Sequence, residues 1–344
     1  MARNRVIYQN EAVFVTSPSA ASSTAALQRV QSCNYNVSIE RKDINQFGEL
    51  SAIDRLIIQP PAVTVDISYY FDPSCANETG MGLTIGGTHI LDKFIADPAI
   101  NQKSIYIETS SQGTDALGAD LATGVIGIGN CGLTSWSLQA SVDDCPTVSC
   151  AFEGLNMTFG ASTTAIPFIT GGGIAGGNFD PGLAPRYASS AVSAVRPGNI
   201  TFALGGSSFG LLESDFKVQS ATVAFTMSRE PLKTLGNLYL FSREIVFPIK
   251  CTMSITAVIG DLATKKLNDL VLNGGDTTIY TCSLSLVGYP NSGAGEKSAV
   301  FTLNKAKLDS QNITSSIGAN KSVTLELSAQ FGASSGLVLS TPAV

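Results

Sequence analysis

The chain has 344 residues, 44% of them hydrophobic and only 14% charged, with 21 Lys+Arg against 27 Asp+Glu and a formal net charge of -6. An ordinary soluble domain is about 25% charged, so much of this surface is expected to lie against other protein. The apolar content excludes disorder, the acidic balance argues against binding to a nucleic-acid backbone, and no apolar run reaches the roughly 18–20 residues of a membrane-spanning helix.

The opening MARNRVIYQNEAVF has no apolar h-region, and the seven cysteines include no C-x-x-C pair. Both lead to the expectation of a cytoplasmic product with reduced, mostly buried thiols. Strands come next. Tyr35, Val37 and Ile39 alternate with polar residues, as do Val63, Val65, Ile67 and Tyr69, which reads as half-buried antiparallel strands. Between them RKDINQFGELSAIDRLIIQP is too long for a tight turn and reads as a protruding β-hairpin with Gly48 at its tip. DPSCANETGMG (72–82) reads as an extra loop and HILDKFIA (89–96) as a short helix. SIYIETS and VSCAFEG continue as strands.

The same series then returns. Residues 30–68 align without a gap on residues 218–256, with identity at Val30, Gln31, Ser32, Arg41, Gly48, Leu50, Arg55, Ile57, Pro60, Thr64 and Ile67. Unrelated segments of ordinary composition would match at about two of these positions. Val223, Phe225 and Met227 repeat the first alternation, and Cys251, Met253, Ile255 and Ala257 the second. The match continues past the core stretch: Ser104-Ile105-Tyr106 falls opposite Thr278-Ile279-Tyr280, and 138–152 falls opposite 313–327. DLATKKLNDLVLN (261–273) reads as the second helix, followed by strands at TIYTCSLSLVG, AVFTLN and SVTLELSAQF. The expected fold is mainly β: two tandem antiparallel β-sandwich or barrel units, each with one short helix and a long β-hairpin loop. The units span 1–160 and 195–344, joined by a Gly/Ala/Ser-rich linker or insertion at 161–194.

Catalytic signals are weak. Gly127-Ile128-Gly129-Asn130-Cys131-Gly132 fits G-x-G-x-x-G, but LTSWSLQASV follows it with strand alternation instead of a helix, so it reads as a glycine-rich β-turn. His89 is the single histidine and reads as a loop residue; Asp143-Asp144 before Pro146 reads as a turn; Trp136 and the Tyr69-Tyr70 pair read as core or subunit-contact aromatics. No catalytic residue, cofactor or metal site is assigned. The charges that do repeat are Arg41 with Arg229 and Arg55 with Arg243, and arginines repeated in a protruding segment suit a repeated protein–protein contact.

The run VQS, REPLKTLG and FPIKCTMSIT, together with LQASVDDCPTVSCAFEG, RPGNITFAL (196–204) and NRVIYQNEAVFV, resembles the major tail tube proteins of tailed bacteriophages. That resemblance implies a structural subunit of the virion tail, assembled in the host cytoplasm. Inner strands of its copies would join in one closed barrel, and its rings would stack into a hollow conduit for DNA ejection. A duplicated chain would build a pseudo-hexameric ring from three copies. The implied partners are further copies of the chain, the tape-measure protein and the tail-tip and terminator proteins; DNA would pass the lumen without specific binding, and no membrane is involved. On this reading the hairpins reach the neighbouring ring or dock on the adjacent unit, through Arg41, Asp43, Phe47, Gly48, Asp54 and Arg55 in the first and Arg229, Glu230, Leu235, Gly236, Arg243 and Glu244 in the second. The alternatives are a tube subunit of a contractile injection system and a surface adhesin or receptor-binding β-domain.

Overall fold

The computed structural model describes residues 11–17, 20–96, 102–110, 116, 122–160, 166–167, 178–179, 194–206, 209–211, 216–236, 240, 242–259, 279–289, 297–315, 320–332 and 335–341. In the first half Glu11–Ser17 (β1) and Ala20–Ala26 (β2) form a hairpin. Val30–Ser38 (β3) leads into the short ladder of Arg41–Ile44 (β4) with Asp54–Ile57 (β5), and Ala62–Tyr70 (β6) returns beside β3. Two short helices, Ala76–Met81 (α1) and Asp92–Ala96 (α2), precede Gln102–Ser110 (β7), the 20-residue Ala122–Ser141 (β8), Thr147–Gly154 (β9) and Asn156–Gly160 (β10). Ile166–Pro167 (β11) pairs with Asn178–Phe179 (β12).

The second half begins with Ala194–Gly206 (β13), Phe209–Leu211 (β14) and Phe216–Thr226 (β15). Arg229–Leu232 (β16) and Ser242–Ile245 (β17) form its protruding ladder. Lys250–Ile259 (β18), Tyr280–Tyr289 (β19), Lys297–Thr314 (β20), Ser322–Gln330 (β21) and Gly336–Ser340 (β22) complete the chain. The fold is mainly β, and the strands pair antiparallel, as alternating half-buried sequences require.

One inner sheet runs β3-β6-β9-β8-β15-β18-β21-β20. Two outer layers cover it: β2-β1-β7-β8-β10 over one half and β14-β13-β19-β20-β22 over the other. The long strands β8 and β20 belong to both layers, so each acts as the corner where its sandwich closes. Most of the apolar set expected from the alternation lies between the layers: Val63, Val65, Ile67, Tyr69, Val223, Phe225, Met227, Cys251, Met253, Ile255 and Ala257 are buried in one continuous core, whereas Val37 is half-buried and Tyr35 and Ile39 are exposed, because β3 has no neighbour among the described strands on its outer side.

The two halves pair with the same register. Val30 faces Tyr69 and Ser32 faces Ser68 across an irregularity at residue 31; Val218 faces Ala257 and Ser220 faces Thr256 across one at residue 219. Ser135 faces Ala151 and Leu133 faces Phe152; Ser310 faces Glu326 and Leu308 faces Leu327, again with a shift between. The bulged residues Asn130 and Lys305 both take φ of 54°. A bulge is a position-specific departure from the ladder, so its recurrence at matching sites is a stronger likeness than shared alternation.

Several expectations are corrected. Lys103 faces Cys131 and Tyr280 faces Ala306, the matching position, so Lys103 rather than Tyr106 corresponds to Tyr280. The three-residue slip inverts the face: Ile105 and Cys282 are buried, whereas Ile279 is exposed. The glycines 127–132 lie within β8 and not in a turn; a Cβ on Gly127 would stand 3.1 Å from the Tyr106 ring on β7. The segment 72–82 is no solvent loop. It holds α1, making two short helices among the described residues of this half, and it buries Cys75 and Met81 in the core. The segment after it reaches the other half, where Gly86 N donates to Leu339 O at 2.8 Å and Ile90 N to Leu337 O at 2.7 Å, covering the edge of β22. Helix α2 begins only at Asp92, whose carboxylate accepts from the backbone N–H of His89 at 3.0 Å. The second expected helix (261–273) and most of 161–194 lie outside the described residues.

Trp136 and Tyr69 are buried, Tyr70 lies at the surface, and His89 stacks edge-on against Phe331 with its Nδ1 3.0 Å from Asp92 Oδ1. Asp143 takes φ of 69° in the turn between β8 and β9. All seven cysteines are free thiols; Cys145 is exposed and Cys33 half-buried.

Candidate assembly surfaces

The halves meet where β8 pairs with β15, Ser135 opposite Thr226 through to Ser141 opposite Ser220. On the core side of this seam Trp136 stacks on Phe225 with ring centroids 5.7 Å apart, and Leu138 faces Val223. All four are 0–1% exposed. Ala140 faces Ala221 beside them. The other face of the inner sheet is polar and open. It carries Asn34 and Asn36 on β3, Thr64 and Asp66 on β6, Ser137 and Gln139 on β8, Thr222 on β15, Ser254 and Thr256 on β18, and Thr324 and Glu326 on β21. Hydroxyls dominate, and the described charges are sparse. Asp66, Glu153, Asp309 and Glu326 stand against Lys250 and Lys307, with Lys250 Nζ 2.6 Å from Asp309 Oδ2.

Beyond the seam the sheet ends in two edges. On its outer side β3 has no partner among the described strands, and neither does the 307–314 half of β20. These edges expose Tyr35 (40%) and Ile313 (44%), apolar side chains that a finished sheet would cover.

The two hairpins have different surroundings. In the first, Arg41, Asp43, Asp54 and Arg55 are all exposed. Arg55 Nε lies 2.6 Å from Asp43 Oδ1, and the Arg55 backbone N–H donates to Asp54 Oδ1 at 2.7 Å. Gly48 takes φ of 92° at the tip, beside fully exposed Phe47 and Leu50. In the second, Gly236 takes φ of 85° beside fully exposed Leu235. Left-handed backbone of this kind favours glycine. Glu230 and Glu244 face each other across the β16·β17 ladder, and Glu244 accepts from Ser242 Oγ at 2.5 Å.

The base of the second hairpin folds onto the first half. Arg229 Nε donates to Leu133 O at 3.0 Å. Arg243 Nη1 donates to Glu153 O at 2.7 Å and Nη2 to Gly154 O at 3.3 Å, with the Glu153 carboxylate 3.8 Å away. Lys233 Nζ reaches Gln59 Oε1 at 3.1 Å. Burial lowers the Arg229 guanidinium to about 10, helped by the like charge of Arg243 and opposed by Glu153 and Glu244. Burial also lowers Arg243, with Glu153 opposing. Both remain cations at neutral pH. The structure therefore brings Arg229 and Arg243 together on one neighbour, while Arg41 and Arg55 stay at the surface.

The acceptors Leu133, Glu153 and Gly154 escaped the sequence reading because carbonyls carry no residue-type signal. Gly132 held a trace of one: a Cβ there would lie 2.7 Å from Arg229 Nε, so the arginine needs glycine beneath it. Among the described residues no group of His, Cys, Asp and Glu is placed to hold a metal ion, and no helix is long and apolar enough to cross a membrane. A family model described as phage tail tube protein matches residues 12–333. No curated protein matches the chain.

Proposed function

The chain belongs to the phage tail tube protein family, and on that premise we propose that three copies close into a pseudo-hexameric ring whose stacked repeats form the hollow conduit for DNA ejection. The observation that carries this reading is the inner sheet. Two four-strand halves are already joined at β8·β15, and both outer ends stop at edges with no partner among the described strands. An open edge is a template for another chain, and a cyclic assembly removes every such edge. We read the equal registers and bulges of the two halves as an internal duplication, so that each half supplies one of six equivalent positions.

The polar face of the inner sheet then lines the lumen. Short hydroxyl side chains and a slight acidic excess give phosphates nothing to grip and repel them weakly. The exposed hairpin tips carrying Phe47, Leu50 and Leu235 reach the neighbouring ring. The tape-measure protein would occupy the lumen before ejection, tail-tip and terminator proteins would close the two ends, and assembly would proceed in the host cytoplasm.

Negative-stain electron microscopy of the purified chain tests the reading. Three-fold rings or hollow tubes are expected, and a monodisperse monomer at high concentration overturns it.

A further inference from the structure

The β8·β15 seam and the docking of the second hairpin form a template inside one chain. The matching registers carry β15 onto β3 and the 133–139 stretch of β8 onto 308–314 of β20. From this, and resting on the ring reading above, we propose the contact between copies. β3 of one copy pairs antiparallel with the 310–315 edge of the next, in the register that sets Tyr35 opposite Ile313 and Ser38 opposite Ser310. Arg55 of the first copy donates to the backbone carbonyls of Ser328 and Ala329 of the second.

Three observations support that register over a shifted one. Tyr35 and Ile313 occupy the places of Val223 and Leu138, which are 0% exposed in the chain's own seam, yet are themselves 40% and 44% exposed. In the same register Cys33 meets Ser315 where the internal seam joins Ala221 to Ala140, so small side chains face each other in both. Ser328 and Ala329 hold the ladder positions of Glu153 and Gly154, the acceptors of Arg243, and Arg55 is the counterpart of Arg243.

Arg41 does not copy Arg229. Lys307 stands where Gly132 does, and a side chain at that position fills the space Arg229 uses. The contact between copies thus keeps one of the two arginine anchors. It also sets Val37 opposite Gln311 where the internal seam has Phe225 opposite Trp136, so it is the more polar and the more readily reversed of the two.

Cross-linking tests the register on assembled protein. Residues directly opposite across antiparallel strands have Cα atoms roughly 4.5–5.5 Å apart, within disulfide reach, while diagonal neighbours at roughly 7–8 Å are beyond it. In a Cys33→Ser, Cys145→Ser background, Tyr35→Cys with Ile313→Cys is expected to give covalent dimers and trimers on oxidation, and Tyr35→Cys with Gln311→Cys is not. Rings or tubes that cross-link in the second pair, or in neither, overturn the register and leave the ring reading standing. Unsubstituted protein that forms neither rings nor tubes overturns both. For the arginine, Arg55→Ala is expected to raise the concentration needed for assembly at least tenfold without moving the thermal midpoint of the unassembled chain, because the exposed Arg55–Asp43 pair adds little to it. Assembly at the original concentration overturns that part.

Discussion

Arg243 Nη1 donates to the backbone carbonyl of Glu153 at 2.7 Å, across 90 residues of sequence. With Nη2 on Gly154 O it pins the base of the second hairpin to the first half of the chain. Its side chain is only 8% exposed. Arg243→Ala removes both donors and leaves two shielded carbonyls without them, at a cost of roughly 2–3 kcal/mol. Arg243→Lys should recover little of this, since an ammonium is a point donor and cannot span both acceptors as the planar fork does. The urea midpoint of the unassembled chain is the measurement.

Gly132 serves the companion arginine. A Cβ there would stand 2.7 Å from Arg229 Nε and 2.9 Å from Cδ and Cζ, so Gly132→Ala must displace the guanidinium from Leu133 O. A loss on the order of 1 kcal/mol is expected, with faster proteolysis at residues 229–245. Arg229→Ala and Gly132→Ala should be strongly non-additive, because each abolishes the same contact. An additive double-mutant cycle would refute the link.

These contacts mark how far the sequence could be read. Alternation at 63–69 and 251–257 identified the core faces because burial on one side imposes period two on residue type. The hairpins showed through length and through Gly48 and Gly236, whose φ values other residues rarely adopt. The slip at Tyr106 arose because Ile-Tyr recurs three residues early in the second half, while the true register is set by bulges at Asn130 and Lys305, which leave no mark on hydrophobicity. Helix α1 was missed since DPSCANETGMG has no 3.6-residue apolar period; tertiary burial of Cys75 and Met81 holds it. The docking of Arg243 was legible only as a repeated arginine. Its partners are carbonyls, and the first hairpin, with the same arginine, has no such carbonyl partner among the described residues.

Trp136 is the single tryptophan and makes the internal seam a measurable quantity. It is 0% exposed, stacks on Phe225 and packs at 5.5 Å against Phe301 of the second half. Trp136→Ala should cost about 3–5 kcal/mol and Trp136→Phe clearly less. In the unsubstituted chain, tryptophan fluorescence should shift to the red in one transition with the loss of far-ultraviolet strand signal. Separate transitions would mean that the halves unfold independently.

Glu78 on α1 is fully buried and accepts from Tyr69 Oη at 2.7 Å. Burial raises its carboxyl from 4.5 to about 7, with the Tyr69 hydrogen bond opposing. Between those values the folded chain holds a proton that the unfolded chain releases. The contribution of this group to stability is therefore complete below about 4.5 and is lost as pH rises through about 7. Glu78→Gln keeps an acceptor for Tyr69 and removes the titration. It should flatten the fall in thermal midpoint between pH 5 and pH 8 and be the more stable form at pH 8, by on the order of 1–3 kcal/mol. A fall of the same size in both proteins would assign the dependence elsewhere.

Substitutions at the hairpin tips would separate the proposed stacking from folding. Phe47, Leu50 and Leu235 are fully exposed, so the unassembled chain gains almost nothing from their apolar character. Replacing all three with Asp should leave the unfolding free energy from urea titration within about 0.5 kcal/mol of the original, the usual range for surface positions. On the proposed ring reading, closure would depend on β3, β20 and the base of the first hairpin, and rings should persist. Stacking would set carboxylates against the next ring, at a desolvation cost that apolar tips avoid. The expected micrograph shows isolated rings where the unsubstituted chain gives tubes. Tubes of normal length would remove the tips from the inter-ring contact.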